Sequence, residues 1–233
     1  MSEFKANILE WSRNVVAYCH EVAMTPEYDM DLSFYAFQSL PKEQPELLIL
    51  GINPAEQFSY ADQYENPVWH LTEAKQMTPE VLLAGNPFYH EHKNWTIWKN
   101  LQKSFAQQEM QQILEESMYM NFVYFNSPNI EDLLNRRYGA TAFKKCAEFS
   151  LGLITRIVKP KNILCLGTAG CFDYLPITSN GDSCLLRDSR RLLLKGKLDD
   201  IKAFGIPHPS GAHLADKKRV QIGEILKHEI LGK

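Results

Sequence analysis

Short apolar runs that end at a glycine, a proline or a polar turn alternate with longer stretches of helical periodicity along this chain. The runs 46–51, 119–125, 162–167 and 201–206 have the length and apolar content typical of buried strands. Between them, apolar residues recur at every third or fourth position, as in helices with one buried face. The alternation predicts an α/β protein, a single domain over 1–233 with a central four-stranded parallel sheet in a three-layer α/β/α arrangement.

The periodicity predicts four longer helices, of which the second is either continuous or broken in two. They cover 4–21, 96–117, 141–158 and 214–230. Residues 52–95 hold several prolines and many aromatics, and a connection of this length is usually functional or contains a helix of its own. Residues 72–84 would supply that helix. The pattern also predicts an irregular connection over 22–45 and a small hairpin around Gly196.

Composition narrows the class of protein without naming a function. Of the 233 residues, 45% are hydrophobic and 23% are charged, as in ordinary globular proteins. No apolar run is long enough to span a bilayer, and the first residues lack the pattern of a secretion signal. The five cysteines form no C-x-x-C pair, so we expect neither a zinc site nor an iron–sulfur site. We also expect that the protein needs no cofactor. A scattered, odd set of cysteines is typical of a reducing, cytoplasmic location.

The formal net charge of −3 conceals an asymmetry along the chain. The segment from Cys184 to Lys233 carries 11 basic and 6 acidic residues, whereas the rest of the chain is acidic. A mildly acidic protein can still bind a polyanion when its positive charge is gathered on one side. The alternative is a solvated basic helix and hairpin, so the asymmetry is only a hint of a nucleic-acid partner.

Polar side chains follow three of the predicted strands at the points where those strands end. They are Asn53, Asn126 and His208. Because the carboxyl ends of parallel strands lie on one edge of a sheet, we expect all three to converge on one ligand pocket. Taken singly, each also fits an ordinary turn. The pair Gly167 and Gly170 lacks the remaining elements of a dinucleotide-binding loop, so a nucleotide-dependent enzyme is poorly supported.

Two motifs resemble the signatures of the uracil-DNA glycosylase superfamily. They are Gly51-Ile52-Asn53-Pro54-Ala55, closest to the mismatch-specific and single-strand-selective branches, and His208-Pro209-Ser210-Gly211. Asn126 matches the base-reading asparagine of several branches, and Asn86-Pro87-Phe88 is similar to the segment that supplies the stacking aromatic. The stretch 94–99 is similar to a helix start in the mismatch-specific branch. The resemblance covers much of the chain in order, through short motifs only.

The resemblance implies a DNA glycosylase of base excision repair, acting on uracil or a related damaged base as a monomer without a cofactor. Asn53 would position the attacking water, and His208 would stabilise the leaving base. The base pocket would comprise Gly51, Ile52, Pro54, Phe88 and Asn126. The contacts to DNA, single-stranded or in a weakened duplex, would come from Pro209, Ser210, Gly211, Ala212, His213 and Lys217.

Three departures from the family pattern leave alternatives open. The interval between Pro54 and Pro87 is unusually long, so Phe58, Tyr60 and Tyr64 rival Phe88 as the stacking aromatic. Ala212 is too small to fill the gap left by a flipped base, and the first motif ends in Ala55. The main alternative function is a catalytically inactive or divergent member that binds nucleic acid or a nucleobase without hydrolysis.

Overall fold

A computed structural model gives an α/β fold with a mostly parallel sheet. It describes residues 2–54, 59–61, 74–178, 184–187, 190–211 and 214–232. The strands are β1 (Leu48–Gly51), β2 (Met118–Asn121), β3 (Asn162–Leu166), β4 (Cys184–Arg187), β5 (Arg190–Leu198) and β6 (Ile201–Ile206). The helices are α1 (Glu3–Met24), α2 (Pro79–Ala84), α3 (Thr96–Ser104), α4 (Gln108–Glu115), α5 (Ile130–Leu134), α6 (Gly139–Gly152) and α7 (Asp216–Leu231).

The six strands follow the order β2-β1-β3-β6-β5-β4. Strand β3 pairs in parallel with β1 on one side and with β6 on the other, and the whole of β3 is buried. Strand β5 runs antiparallel to both β6 and β4. The four predicted strands are therefore confirmed, whereas the predicted total of four is wrong because an antiparallel pair extends the sheet.

The prediction of a hairpin around Gly196 is wrong, because Gly196 lies inside β5 and pairs with Ala203 of β6. A Cβ atom at position 196 would lie 2.8 Å from the carbonyl oxygen of Thr178 and would overlap the side chain of Ile177. Glycine is needed here for close approach of a neighbouring segment, not for a turn. The chain turns instead at Asp199, which has a positive φ of 51°.

The described contacts divide the chain into two compact units. The first comprises Met1–Glu43, Gly51–Tyr89 and Tyr119–Lys159, and the second comprises Gln44–Leu50, His90–Met118 and Pro160–Lys233. No helix among the described residues is both long and apolar enough to cross a membrane. The single domain expected over 1–233 stays a prediction.

In the first unit, α1 confirms the first predicted helix and buries one face that includes Val15, Cys19 and Val22. The segment 22–45 is more than a surface connection, because Tyr35 and Gln38 donate backbone hydrogen bonds to carbonyls of the β2 region. Its apolar side chains are buried, including Met30, Leu32, Phe34 and Phe37. These apolar residues are spaced too irregularly to predict a helix or a strand. Their burial nevertheless holds the segment against the rest of the unit.

Two more of the predicted helices are confirmed with adjusted ends. Helix α2 begins after Thr78, whose hydroxyl accepts a hydrogen bond from the Val81 amide, as expected of an N-cap. Helix α6 continues as a π-helix over Leu153–Val158, and the left-handed Lys159 ends it before Pro160.

In the second unit, the predicted 96–117 helix is broken in two, as α3 and α4. Helix α7 packs against α3, and it buries Ile222 and Leu226, while Ile225 and Ile230 on the same predicted face remain partly exposed. A Cβ at Gly223 would overlap the backbone of Ser104 in α3, so the two helices approach closely at that point. The close contact fixes α3 and α7 together beside the chain that follows β6.

Candidate functional site

The end of β1 is tied to the chain that follows β2 by backbone hydrogen bonds within the first unit. The amides of Phe122, Val123 and Ser127 donate to the carbonyls of Gly51, Ile52 and Pro54, at 2.8, 2.8 and 3.1 Å. Both segments lie just beyond their strands, where ligands bind in open α/β sheets. The Asn53 backbone is therefore held on both sides.

The side chain of Asn53 has a defined orientation. Its Nδ2 donates to the carbonyl oxygen of Ser127 at 2.9 Å, to the Ser127 hydroxyl at 2.8 Å and to the Pro54 carbonyl at 3.1 Å. Two of these three partners are carbonyls, which only accept, so the amide nitrogen and not the amide oxygen must face them. The Ser127 hydroxyl in turn donates to the Asn129 carbonyl at 2.7 Å.

This orientation leaves the Asn53 carbonyl oxygen, Oδ1, directed away from the Ser127 anchor. No other described residue makes a hydrogen bond to it. Asn53 itself is only partly buried. An amide oxygen cannot abstract a proton, but a fixed acceptor can hold and aim a water molecule.

Gly51 makes room for the neighbouring Asn121 side chain. A Cβ at position 51 would lie 2.9 Å from the Asn121 Oδ1, closer than real side chains approach. The Asn121 Nδ2 is buried and has no hydrogen-bond partner among the described residues. Gly51 is therefore needed for packing, because Asn121 Oδ1 lies directly beside it.

Asn126 is 2% exposed and is held by Ser33. Its amide nitrogen lies 2.6 Å from the Ser33 hydroxyl, and its backbone amide donates to the Ser33 carbonyl at 2.9 Å. The other end of the carboxamide, Oδ1, is buried and has no partner among the described residues. A hydroxyl can donate or accept, so if the carboxamide were rotated the nitrogen would be left unpaired instead. Either way, one buried hydrogen-bonding atom of Asn126 is unsatisfied.

The candidate stacking aromatics differ in their surroundings. Phe88 is partly buried, and its amide donates to Asn86 Oδ1 at 2.8 Å, while Asn86 Nδ2 donates to the side chain of Gln38 at 2.8 Å. The rival Tyr60 is buried and lies 2.7 Å from His20 Nδ1 through its hydroxyl, so it packs against α1. The other named rivals and the end of the first motif lie outside the described residues, namely Phe58, Tyr64 and Ala55.

His208 follows β6 in the second unit and is partly buried. Its Nδ1 lies 2.9 Å from the Ser210 hydroxyl and 3.4 Å from the Ser210 backbone amide. A backbone amide only donates, so Nδ1 is the unprotonated nitrogen and the ring carries its hydrogen on Nε2. Burial lowers the pKa of His208 from its ordinary value of 6.5, which further favours this neutral form.

The loop after His208 is anchored to α3. Asn100 Nδ2 donates to the carbonyl of the buried Pro209 at 2.8 Å, whereas Ser210 and Gly211 are exposed. Lys217 is exposed in the first turn of α7. Two residues predicted to contact DNA, Ala212 and His213, lie outside the described residues.

The predicted site residues therefore fall into two described groups. The first group is a hydrogen-bonded arrangement in the first unit and comprises Gly51, Ile52, Asn53, Pro54 and Asn126. Phe88 lies in the same unit, on a turn with its own hydrogen bonds. The second group lies in the second unit and comprises the segment His208 to Gly211 together with Lys217.

Sequence reasoning missed the residues that position these groups. Ser127 orients Asn53, Ser33 holds Asn126, and Asn100 holds Pro209. Ser127 could have been suspected from its place in the polar tip after β2. Ser33 and Asn100 gave no signal, because each contact joins distant parts of the chain.

Within the described ranges, no group of three or more His, Cys, Asp or Glu side chains could hold a metal ion. No protein-family model matches the chain, and no sequence among curated proteins matches it.

Proposed function

We propose that this protein is a DNA glycosylase that hydrolyses the N-glycosidic bond of uracil or a related damaged base. In this reaction the oxygen of water bonds to C1′ of the deoxyribose as the bond from C1′ to the base nitrogen breaks. The bonding electron pair leaves with the base; the water gives up one proton as it becomes the hydroxyl on C1′, the base takes up one proton, and the neutral base is released. The products are an abasic site and a free base, and no cofactor is consumed.

The fixed orientation of Asn53 carries the proposal. Its Nδ2 is committed to Ser127 and Pro54, so Oδ1 is the atom left to hold a water molecule. Orientation of a water is a modest contribution compared with a carboxylate base, and it implies slow chemistry. The two hydrogens of Nδ2 are shared among three acceptors on one side of the carboxamide, so its other end stays available for a ligand.

His208 supplies the second element of the proposed reaction. As the bond to the base breaks, negative charge develops on an oxygen of the leaving base, and a hydrogen-bond donor aimed at that oxygen lowers the barrier. The contacts from Ser210 leave the hydrogen of His208 on Nε2, where it can serve as that donor. A neutral histidine is sufficient for this role.

Asn126 is proposed to read the edge of the base. The unpaired end of its buried carboxamide is costly to leave unsatisfied, by about 1–3 kcal/mol, and a base with a complementary edge would satisfy it. A base with the wrong pattern would leave the same atom unpaired and would be rejected. Because Asn126 is closed off in the free protein, the segment containing Ser33 would have to shift as a base enters.

The proposed partner is single-stranded DNA or a weakened duplex, since the target base must leave the helix to reach such a site. We also propose that the chain adopts a three-layer α/β/α arrangement like that of the uracil-DNA glycosylases. The order of the four predicted strands and the helices between them supports this. The residues proposed to contact DNA are those of the His208 loop together with Lys217.

The test is a single-turnover assay with the full chain in excess over labelled oligonucleotides. Each oligonucleotide carries uracil, hypoxanthine, xanthine or thymine, in a single strand or opposite each base, and alkali then cleaves any abasic site. We expect cleavage for at least one base, and a loss of about 100-fold or more in Asn53→Ala.

The matched control is Asn135→Ala, which removes an exposed carboxamide at the end of α5 in the same unit. It should leave the excision rate unchanged. Absence of cleavage on every substrate, with DNA binding retained, would overturn the proposal in favour of a protein that binds nucleic acid without hydrolysis.

A further inference from the structure

A groove of about 650 Å³ runs along α3 in the second unit. It is lined by Thr96, Lys99, Asn100, Gln102, Lys103 and Ala106. The same Asn100 donates to the Pro209 carbonyl at 2.8 Å, so the groove adjoins the loop that carries His208. Its position relative to that loop is fixed by this hydrogen bond.

Most of the exposed surface of the groove is apolar, its lining residues include two lysines and three residues with amide or hydroxyl groups, and none of them carries a carboxylate. Lys99 and Lys103 lie four residues apart on α3, hence on one face and separated by about 6 Å along the helix axis. Lys103 forms an ion pair with Asp216 at 3.0 Å, whereas Lys99 has no ion-pair partner among the described residues. No carboxylate in the described part of the chain therefore pairs with the charge that Lys99 brings to the groove.

We propose that this groove binds the phosphodiester backbone of the DNA strand whose base meets the His208 loop. The inference rests on the proposed glycosylase function and specifies which surface holds the substrate strand. Lysines bind phosphates as point charges without regard to sequence, which suits a site that positions a strand rather than reads it. The amide and hydroxyl groups beside them can donate further hydrogen bonds to phosphate oxygens.

The experiment is fluorescence anisotropy with labelled single-stranded oligonucleotides that contain no damaged base, at several salt concentrations. Relative to wild type, Lys99→Ala should weaken binding about three- to tenfold and lower the slope of log affinity against log salt by about 0.7. Lys99→Arg should keep both values near wild type, because it keeps the charge. Lys197→Ala removes an exposed lysine of β5 that has no ion-pair partner among the described residues, and it should also leave both values unchanged.

Equal affinities and salt slopes for Lys99→Ala and Lys197→Ala would overturn the groove as a strand-binding site, even if the protein excises a base. A selective loss in Lys99→Ala together with no excision on any substrate would sustain the groove and overturn the proposed chemistry. A parallel titration uses a labelled acidic peptide, and an effect of Lys99→Ala on the peptide alone, and not on DNA, would overturn the proposal.

Discussion

At the scale of single residues, the candidate chemistry depends on side chains that are held by other polar groups. Asn53 could be predicted as a site residue because it follows a buried strand directly. Its orientation could not, because it is set by Ser127, 74 residues further along the chain. Sequence order records which side chain lies at a strand end, but the partner that aims it is fixed only when the strands pair.

Replacement of Ser127 tests this dependence. Ser127→Ala removes the hydroxyl that accepts from Asn53 Nδ2 but keeps the Ser127 carbonyl, so Asn53 becomes less firmly held without being lost. We expect the single-turnover excision rate to fall about three- to tenfold, with little change in oligonucleotide affinity. Stability should fall by about 1 kcal/mol, measured by urea unfolding.

The matched control is Ser12→Ala, which removes a buried hydroxyl that donates to the Leu9 carbonyl within α1. It should lower stability by a similar amount and leave the excision rate at the wild-type value. Equal rate losses in the two variants would mean that Ser127 acts on stability alone and does not position Asn53.

The His208 loop predicts a pH dependence with a definite sign. The backbone amide of Ser210 donates to Nδ1, so protonation of Nδ1 would remove its acceptor and disturb the loop, whereas the Ser210 hydroxyl could turn and accept instead. The pKa of His208 lies below 6.5, so excision should be constant above pH 6.5 and decline only as pH falls through this lowered pKa. Single-turnover rates between pH 4.5 and 8 measure the pH dependence of excision, and a histidine titration by NMR measures the pKa of His208.

The contribution of His208 to the free energy of unfolding should also decrease as the pH falls. Because folding favours neutral His208, its contribution is fully present above the unfolded pKa of 6.5 and is lost as pH falls through the folded pKa. In His208→Gln this part of the pH dependence of excision should disappear. A wild-type rate that instead rises on acidification would contradict the neutral-donor role.

At the scale of elements, alternation of strands and helices was sufficient to predict β1, β2, β3 and β6 and most of the helices. The antiparallel strand β5 was missed because a glycine in an apolar run suggests a turn. The role of Gly196 depends on Ile177 and Thr178, which approach it from another part of the chain. Short-range patterns carry no record of such an approach.

Gly196→Ala tests the account of β5. The added methyl group would overlap Ile177 and the Thr178 backbone, so we expect a loss of about 1–3 kcal/mol in the free energy of unfolding. Gly152→Ala is the matched control, because a Cβ there meets nothing within 4 Å and its φ of −59° is helical. That change should be neutral or stabilising by up to about 1 kcal/mol. Equal urea midpoints for the two variants would refute the packing argument.

At the scale of the whole molecule, the α/β class and the parallel centre of the sheet followed from the sequence, while its width did not. The charge asymmetry pointed to a basic C-terminal part, but the groove and its Lys99 are supplied by α3, which lies upstream of that part. Totals by segment do not record which helices become neighbours. The hydrogen bond from Asn100 of α3 to the Pro209 carbonyl shows that the proposed strand-binding surface adjoins the His208 loop.

The central claim is that the chain cleaves a base from DNA, and direct detection of the free base tests it most closely. The full-length protein would be incubated in excess with a single-stranded oligonucleotide carrying one uracil, and released base and abasic strand would be quantified by mass spectrometry. We expect the two products in equal amounts, with Asn53→Ala yielding about 100-fold less in the same time and Asn135→Ala yielding the wild-type amount. Unchanged product formation in Asn53→Ala would contradict the assigned role of Asn53. Intact oligonucleotide with uracil and with every other base in the panel would contradict the glycosylase function itself.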